Sequence, residues 1–176
     1  MVRSKNINML WYVRKPVENF EKYCIKTNPP SPPLLQINGG EIPSEAYLQR
    51  QTRHRHVIDI YEVVDTDEHY VYVMERPEVC KDLFDVIHDR DNLGLPLTER
   101  EARRYFAQIL QANINCEETG VLHRDIKPEN ILVDMRTDEA KLIDFGLASE
   151  VQQEPFTKFR GENIAEVSCV RHSRLK

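Results

Sequence analysis

The sequence predicts an α+β fold built as two lobes, a small β-rich lobe followed by a mainly helical one, and three observations predict it. Short β-rich runs fill much of the first 75 residues, and apolar residues recur at helical spacing after Thr98. Near the end of the chain, a strand, a polar turn and a second strand lie between two charged motifs. The chain is 176 residues long, 40% hydrophobic and 30% charged, which is enough for one domain with a sizeable core.

Taken in order, Tyr23-Cys24-Ile25-Lys26 reads as a short strand ending in a lysine. Alone, Lys26 reads as an exposed strand residue. The segment Asn28-Pro29-Pro30-Ser31-Pro32-Pro33 is too rich in proline for strand or helix and predicts an extended loop, with a polyproline ligand as the secondary reading. Pro43-Ser44-Glu45-Ala46-Tyr47-Leu48-Gln49 predicts a proline- and serine-led helix start with Glu45 in its first turn. If that helix packs on the first strand, Lys26 and Glu45 can pair. Two β-rich runs, Val57 to Val64 and His69 to Glu75, flank the polar turn Asp65-Thr66-Asp67-Glu68 and complete a small sheet with the Lys26 strand.

From Thr98 a helix is predicted to begin with a capping box between Thr98 and Glu101. Ala102, Tyr105, Phe106, Ile109, Leu110 and Ile114 repeat at helical spacing and are assigned to the core. Gly120 is placed as its C-terminal cap. Ile131-Leu132-Val133 and Lys141-Leu142-Ile143 then read as strands joined by the turn Asp134 to Glu139, a hairpin that sets Asn130 beside Asp144.

A formal net charge of -5 gives no basic surplus for nucleic acid, and Arg53-His54-Arg55-His56 reads as a solvated loop before a binding patch. Cys24, Cys80, Cys116 and Cys169 lack metal-ligand spacing and fit a reducing interior, so a cytoplasmic location is expected, with a nuclear one also open. Polar residues interrupt the N-terminus before any apolar core of a signal peptide, and no apolar run reaches membrane-spanning length. No membrane association is expected.

The motifs carrying chemistry are His123-Arg124-Asp125-Ile126-Lys127-Pro128-Glu129-Asn130 and Asp144-Phe145-Gly146. Phosphoryl transfer needs a carboxylate to take the proton of a substrate hydroxyl, a role open to Asp125, and a cation, Lys127, to steady the transferred group. The amide oxygen of Asn130 and the carboxylate of Asp144 supply hard ligands for magnesium against phosphate oxygens. Four roles thus converge on one point.

On these motifs, from Lys26 to Gly161, the chain resembles a eukaryotic serine/threonine protein kinase, and it is similar to the Pim family. The finer likeness is carried by Val73-Met74-Glu75-Arg76-Pro77-Glu78, by Asp82-Leu83-Phe84-Asp85-Val86-Ile87 and by Gly120 to Lys127. The resemblance implies a two-lobed kinase fold in which residues 1–161 form a partial domain: a small lobe to about 75, a hinge at 75–78 and a partial large lobe at 79–161. Residues 162–176 then form a divergent tail. It implies ATP and Mg2+, with Lys26 and Glu45 presenting an ammonium to phosphates and Met74 as gatekeeper. Glu75 and Pro77 then stand in the hinge facing adenine. It also implies protein substrates with basic motifs, drawn by Asp82, Asp85 and Glu129. It implies no oligomeric state. Pro77 stands where most kinases donate a backbone N–H to adenine, and proline has none, so roughly 0.5–1.5 kcal/mol of binding is forgone.

Three departures from the pattern set further expectations. Residues 1–22 contain no glycine, so the glycine-rich phosphate lid is missing or replaced. After Gly161 the chain leaves the family pattern, and the buried face of the Thr98 helix is expected to lose much of its packing. Gln49 occupies a position where an apolar side chain is expected in the column through His123 and Phe145, and a buried amide needs partners. The function expected is Ser/Thr phosphotransfer; the alternatives are a catalytically impaired pseudokinase or decoy binding module, or a kinase fragment without function of its own.

Overall fold

In the computed structural model the described residues are 23–28, 32–37, 40–66 and 69–152. The predicted features at residues 1–22, the centre of the proline-rich loop and the tail from 162 to 176 lie outside them.

The small lobe runs β1 (Tyr23–Asn28), β2 (Leu34–Ile37), β3 (Gly40–Pro43), α1 (Ser44–Gln51), β4 (Ile60–Asp65) and β5 (Tyr70–Glu75). β5 is the centre of an antiparallel sheet in the order β1-β5-β4. Strand alternation explains its place: Tyr70, Tyr72 and Met74 are buried and the residues between them are half-buried. The buried set joins Ala46, Ile58, Ile60 and Ile143 in one core cluster. Lys26 lies within β1, opposite Tyr72, and the strand continues two residues past it, further than predicted.

The hairpin of β2 and β3 was not predicted, and its register pairs Ile37 with Gly40. The sequence signal is Asn38-Gly39, a turn dipeptide between two short apolar runs. Pro43 closes β3 and occupies the N-cap of α1 without a side-chain cap bond; the Ser44 N–H donates to the Pro33 carbonyl at 2.8 Å. The run predicted from Val57 becomes strand only at Ile60. Val57 instead bridges to Leu142, and the Ile58 N–H donates to the Leu142 carbonyl at 3.0 Å.

The second lobe begins with β6 (Cys80–Asp82) and α2 (Leu83–Asn92), followed by α3 (Glu99–Glu118). Then come β7 (Val121–Leu122), a 3-10 turn at Pro128–Asn130, β8 (Ile131–Asp134), β9 (Glu139–Leu142) and β10 (Ser149–Glu150). Its described part carries two helices and five short strands, fewer helices than "mainly helical" suggests. β6, β8 and β9 form one sheet, and β7 pairs with β10.

α3 starts with the predicted capping box: the Glu101 N–H reaches the Thr98 side chain while the Glu101 carboxylate accepts from the Thr98 N–H at 2.8 Å. Gly120 ends the helical region with φ 81°, a conformation costly for a side chain bearing Cβ. Only part of the predicted stripe is core. Tyr105 and Ile109 are buried with Ala112 and Cys116, whereas Phe106 is 70% exposed and Ala102, Leu110 and Ile114 also face outward. Among the described residues, no helix is long and apolar enough to cross a membrane.

Candidate active site

The β8–β9 hairpin builds the floor of the site. Its register sets Ile131 opposite Leu142, and the Ile143 N–H donates to the Asn130 carbonyl at 3.0 Å, so the strand ends carry Asn130 and Asp144 to the same edge. Each of the two motifs holds one residue in an uncommon backbone state: Arg124 has φ 66° and Asp144 φ 63°. Left-handed geometry at non-glycine residues costs of order 1–3 kcal/mol each, and it persists where surrounding bonds fix it. Here the Arg124 Nε donates to the Leu147 carbonyl at 2.8 Å, which ties the two motifs together.

His123 is the hinge pin between them. It is 1% exposed and meets Phe145 edge to face at 4.7 Å. Its Nδ1 accepts from the Asp125 N–H at 3.3 Å, so its Nε2 carries the proton and donates to the Ile143 carbonyl at 3.0 Å. Burial pulls its pKa down to about 4, against the backbone bond and nearby carboxylates that favour charge.

Asp125, Lys127 and Asn130 meet as predicted from their spacing. Asn130 is buried, and its Nδ2 donates to both the backbone carbonyl and Oδ2 of Asp125, each at 2.8 Å. With its nitrogen so engaged, the amide presents its oxygen as the atom for a cation. Lys127 Nζ lies 3.2 Å from the same Asp125 Oδ2.

Lys26 joins the lobes. Its ammonium pairs with Glu45 on α1 and, at 2.8 Å, with Asp144 Oδ1. Burial lowers the Lys26 pKa, but the Glu45 and Asp144 carboxylates outweigh it and hold the group above the ordinary lysine value. For Asp144 burial acts upward, and Lys26 overrides it and keeps the carboxyl below its ordinary value. The Gly146 N–H also reaches Asp144 Oδ1 at 3.3 Å; a Cβ at Gly146 would stand 3.2 Å from that oxygen and crowd it.

The remaining predicted residues separate into two groups. Met74 is buried at the end of β5, and Glu75 and Pro77 follow it, Pro77 buried and Glu75 half-buried. Asp82 is 5% exposed, and its Oδ1 caps α2 by accepting from the Asp85 N–H at 2.7 Å. It therefore shapes the helix start, while Asp85 and Glu129 are both half-buried. Gln49 finds the partner its burial demands, donating from Nε2 to the Ile58 carbonyl at 2.7 Å. An unpartnered amide there would cost about 1–3 kcal/mol.

Sequence reasoning treated Ile131 to Val133 as a uniform apolar strand and missed Leu132. Ile131 and Val133 belong to the large-lobe core, whereas Leu132 packs against the small-lobe cluster. The period-two alternation of a strand was the available signal. The α2 helix was likewise missed, though Asp82 with Asp85 in the first turn is a helix-start pattern.

The site thus sets a lysine paired with two carboxylates, Glu45 and Asp144, beside a loop carrying an Asp-Lys-Asn cluster. The protein kinase domain model matches residues 13–164, and the chain belongs to that family. It is 40% identical over 134 residues to the serine/threonine-protein kinase pim-2 of Danio rerio, covering 74% of this chain and 39% of that protein. The serine/threonine-protein kinase prk-2 of Caenorhabditis elegans is 36% identical over 130 residues, covering 73% and 29%. The carbon catabolite-derepressing protein kinase of Saccharomyces cerevisiae is 37% identical over 119 residues, covering 68% and 18%. The chain therefore spans well under half the length of these relatives.

Proposed function

We propose that this chain is a Mg2+- and ATP-dependent serine/threonine protein kinase domain that phosphorylates protein hydroxyls near basic residues. The observation that carries the reading is the Asp125–Asn130–Lys127 cluster, with one Asp125 oxygen 2.8 Å from the Asn130 amide and 3.2 Å from the Lys127 ammonium. In this role Asp125 accepts the hydroxyl proton, and Lys127 balances charge on the transferred phosphoryl group. Lys26, steadied by Glu45, contacts the nucleotide phosphates.

The donor set fits magnesium. Asn130 and Asp144 are hard oxygen ligands, and Mg2+ takes one or two protein ligands and completes its shell with phosphate and water. Among the described residues no group of three or more His, Cys, Asp or Glu side chains forms a cage of its own. When bound, the ion neutralises charge on the phosphate oxygens. The Pim-like preference for basic substrates is supported by Asp82, Asp85 and Glu129, whose carboxylates suit guanidinium pairing. A cytoplasmic or nuclear location belongs to the same proposal.

A catalytically impaired binding module is the second reading, favoured by the absence of glycine from residues 1–22. One experiment separates the two: transfer of phosphate from Mg-ATP to an arginine-rich serine peptide, compared between the full chain and Asp125→Asn. The kinase reading expects transfer that Asp125→Asn abolishes. Equal rates in both would sink it, and nucleotide binding without transfer would support the binding module.

A further inference from the structure

Lys141 belongs to β9, opposite Leu132, and its neighbours Ala140 and Leu142 are fully buried in the large-lobe core. Strand alternation therefore sets Lys141 on the other face, the side on which Leu132 packs against the small lobe. There its ammonium lies 2.8 Å from Oε1 and 3.1 Å from Oε2 of Glu75.

Glu75 is fixed in turn from the small-lobe side. It is the last residue of β5; its N–H donates to the Asp59 carbonyl at 2.9 Å, and its Oε2 accepts from the Asp59 N–H at 3.3 Å. The Lys141 and Glu75 side chains are 13% and 25% exposed. A pair so far from water adds little net stability over apolar packing of the same shape. What it supplies is a fixed distance between two elements.

Those elements bear the two ends of the nucleotide site. Glu75 opens the hinge segment, and Lys141 stands three residues before Asp144, whose carboxylate meets Lys26 at 2.8 Å. The chain from Lys26 through Asp144 and β9 to Glu75 thus closes a loop, since Lys26 and Glu75 lie on paired strands of one sheet.

We infer that Lys141 is a positioning residue for nucleotide, holding the Glu75 carboxylate so that the hinge keeps its spacing from Asp144. This rests on the kinase reading. Its effect falls on nucleotide affinity, because adenine and phosphate contacts are satisfied together only at one separation.

The test is calorimetric titration of the full chain with Mg-ATP, with the fold of each variant checked by a cooperative melt. Lys141→Met is expected to raise the Kd about fivefold, and Glu75→Gln to do the same. Lys141→Arg keeps the charge and is expected to bind within about twofold of the parent, a rescue that mere filling of space does not predict. Where activity is measurable, KM for ATP rises and kcat holds. Unchanged binding in a folded Lys141→Met, or a Lys141→Arg as weak as Lys141→Met, overturns the inference. Should Lys141→Met not fold, the same titration of Glu75→Gln decides. Those failures leave the kinase reading standing if the parent binds Mg-ATP and Asp144→Asn does not; a parent that never binds overturns both.

Discussion

The side-chain amide of Asn130 donates to both the carbonyl and the carboxylate of Asp125, at 2.8 Å each. This pair of hydrogen bonds to one residue fixes the loop across five positions and orients the carboxylate. Lys127 approaches the same oxygen at 3.2 Å, so the carboxylate of the proposed proton acceptor lies between two donors.

Asp125→Asn should therefore separate folding from chemistry. The amide retains the size of the carboxylate but cannot accept the hydroxyl proton, and loss of a general base costs about 100-fold or more in rate. Phosphotransfer assays should show that fall while the melting midpoint moves little. A variant with parental kcat would remove Asp125 from the proton path.

The electrostatics of the site predict an acid-sensitive fold. His123 has a pKa near 4 in the folded chain against an ordinary 6.5, so the unfolded state binds its proton first. Its contribution is complete above pH 6.5 and falls as pH drops toward 4, by about 3 kcal/mol across that window. Asp144, depressed below 3.8, adds a further loss at still lower pH, and Lys26, raised above 10.5, loses its contribution only above that value. Urea titrations at pH 7 and pH 4.5 should show this slope, and His123→Gln should flatten it. A parent chain equally stable at both values would contradict the buried neutral imidazole.

The local signals of α3 and of the Asp125 loop were read well, whereas those of the β2–β3 hairpin and of α2 were not. The capping box at Thr98 and the cap at Gly120 depend on residues three or four apart, and the sequence states them directly. The meeting of Asp125, Lys127 and Asn130 was legible for the same reason. Lys26 and Asp144 are 118 residues apart, and their ion pair was not anticipated, since the resemblance gave each a separate role. The stripe on α3 was overread because periodicity shows which face is apolar, not how much of it a neighbour covers. The capping role of Asp82 was not read, because an acid in a motif and an acid capping a helix look alike until the backbone is known.

The two sides of α3 should respond differently to truncation. Ile109 is 6% exposed within the large-lobe core, so Ile109→Ala removes buried methyl groups and should cost about 2–4 kcal/mol. Phe106 is 70% exposed, and Phe106→Gln should change stability by no more than about 0.5 kcal/mol. Denaturant midpoints of the two variants measure this directly. A large loss at Phe106 would mean that the outer face of α3 is covered in solution.

Pro77 lies in the segment that the kinase reading sets against adenine. The residue is buried directly after Glu75 and Arg76, and as proline it offers no N–H. Pro77→Ala restores a backbone donor while removing little volume. If the hinge faces adenine as proposed, the added bond should tighten Mg-ATP by about 0.5–1.5 kcal/mol, roughly two- to tenfold in Kd. GTP distinguishes this from general stiffening of the hinge, because its purine edge presents a different pattern of donors and acceptors. The variant should gain for ATP and not for GTP. Equal gains for both nucleotides would show that position 77 acts through hinge conformation and not through a bond to the base.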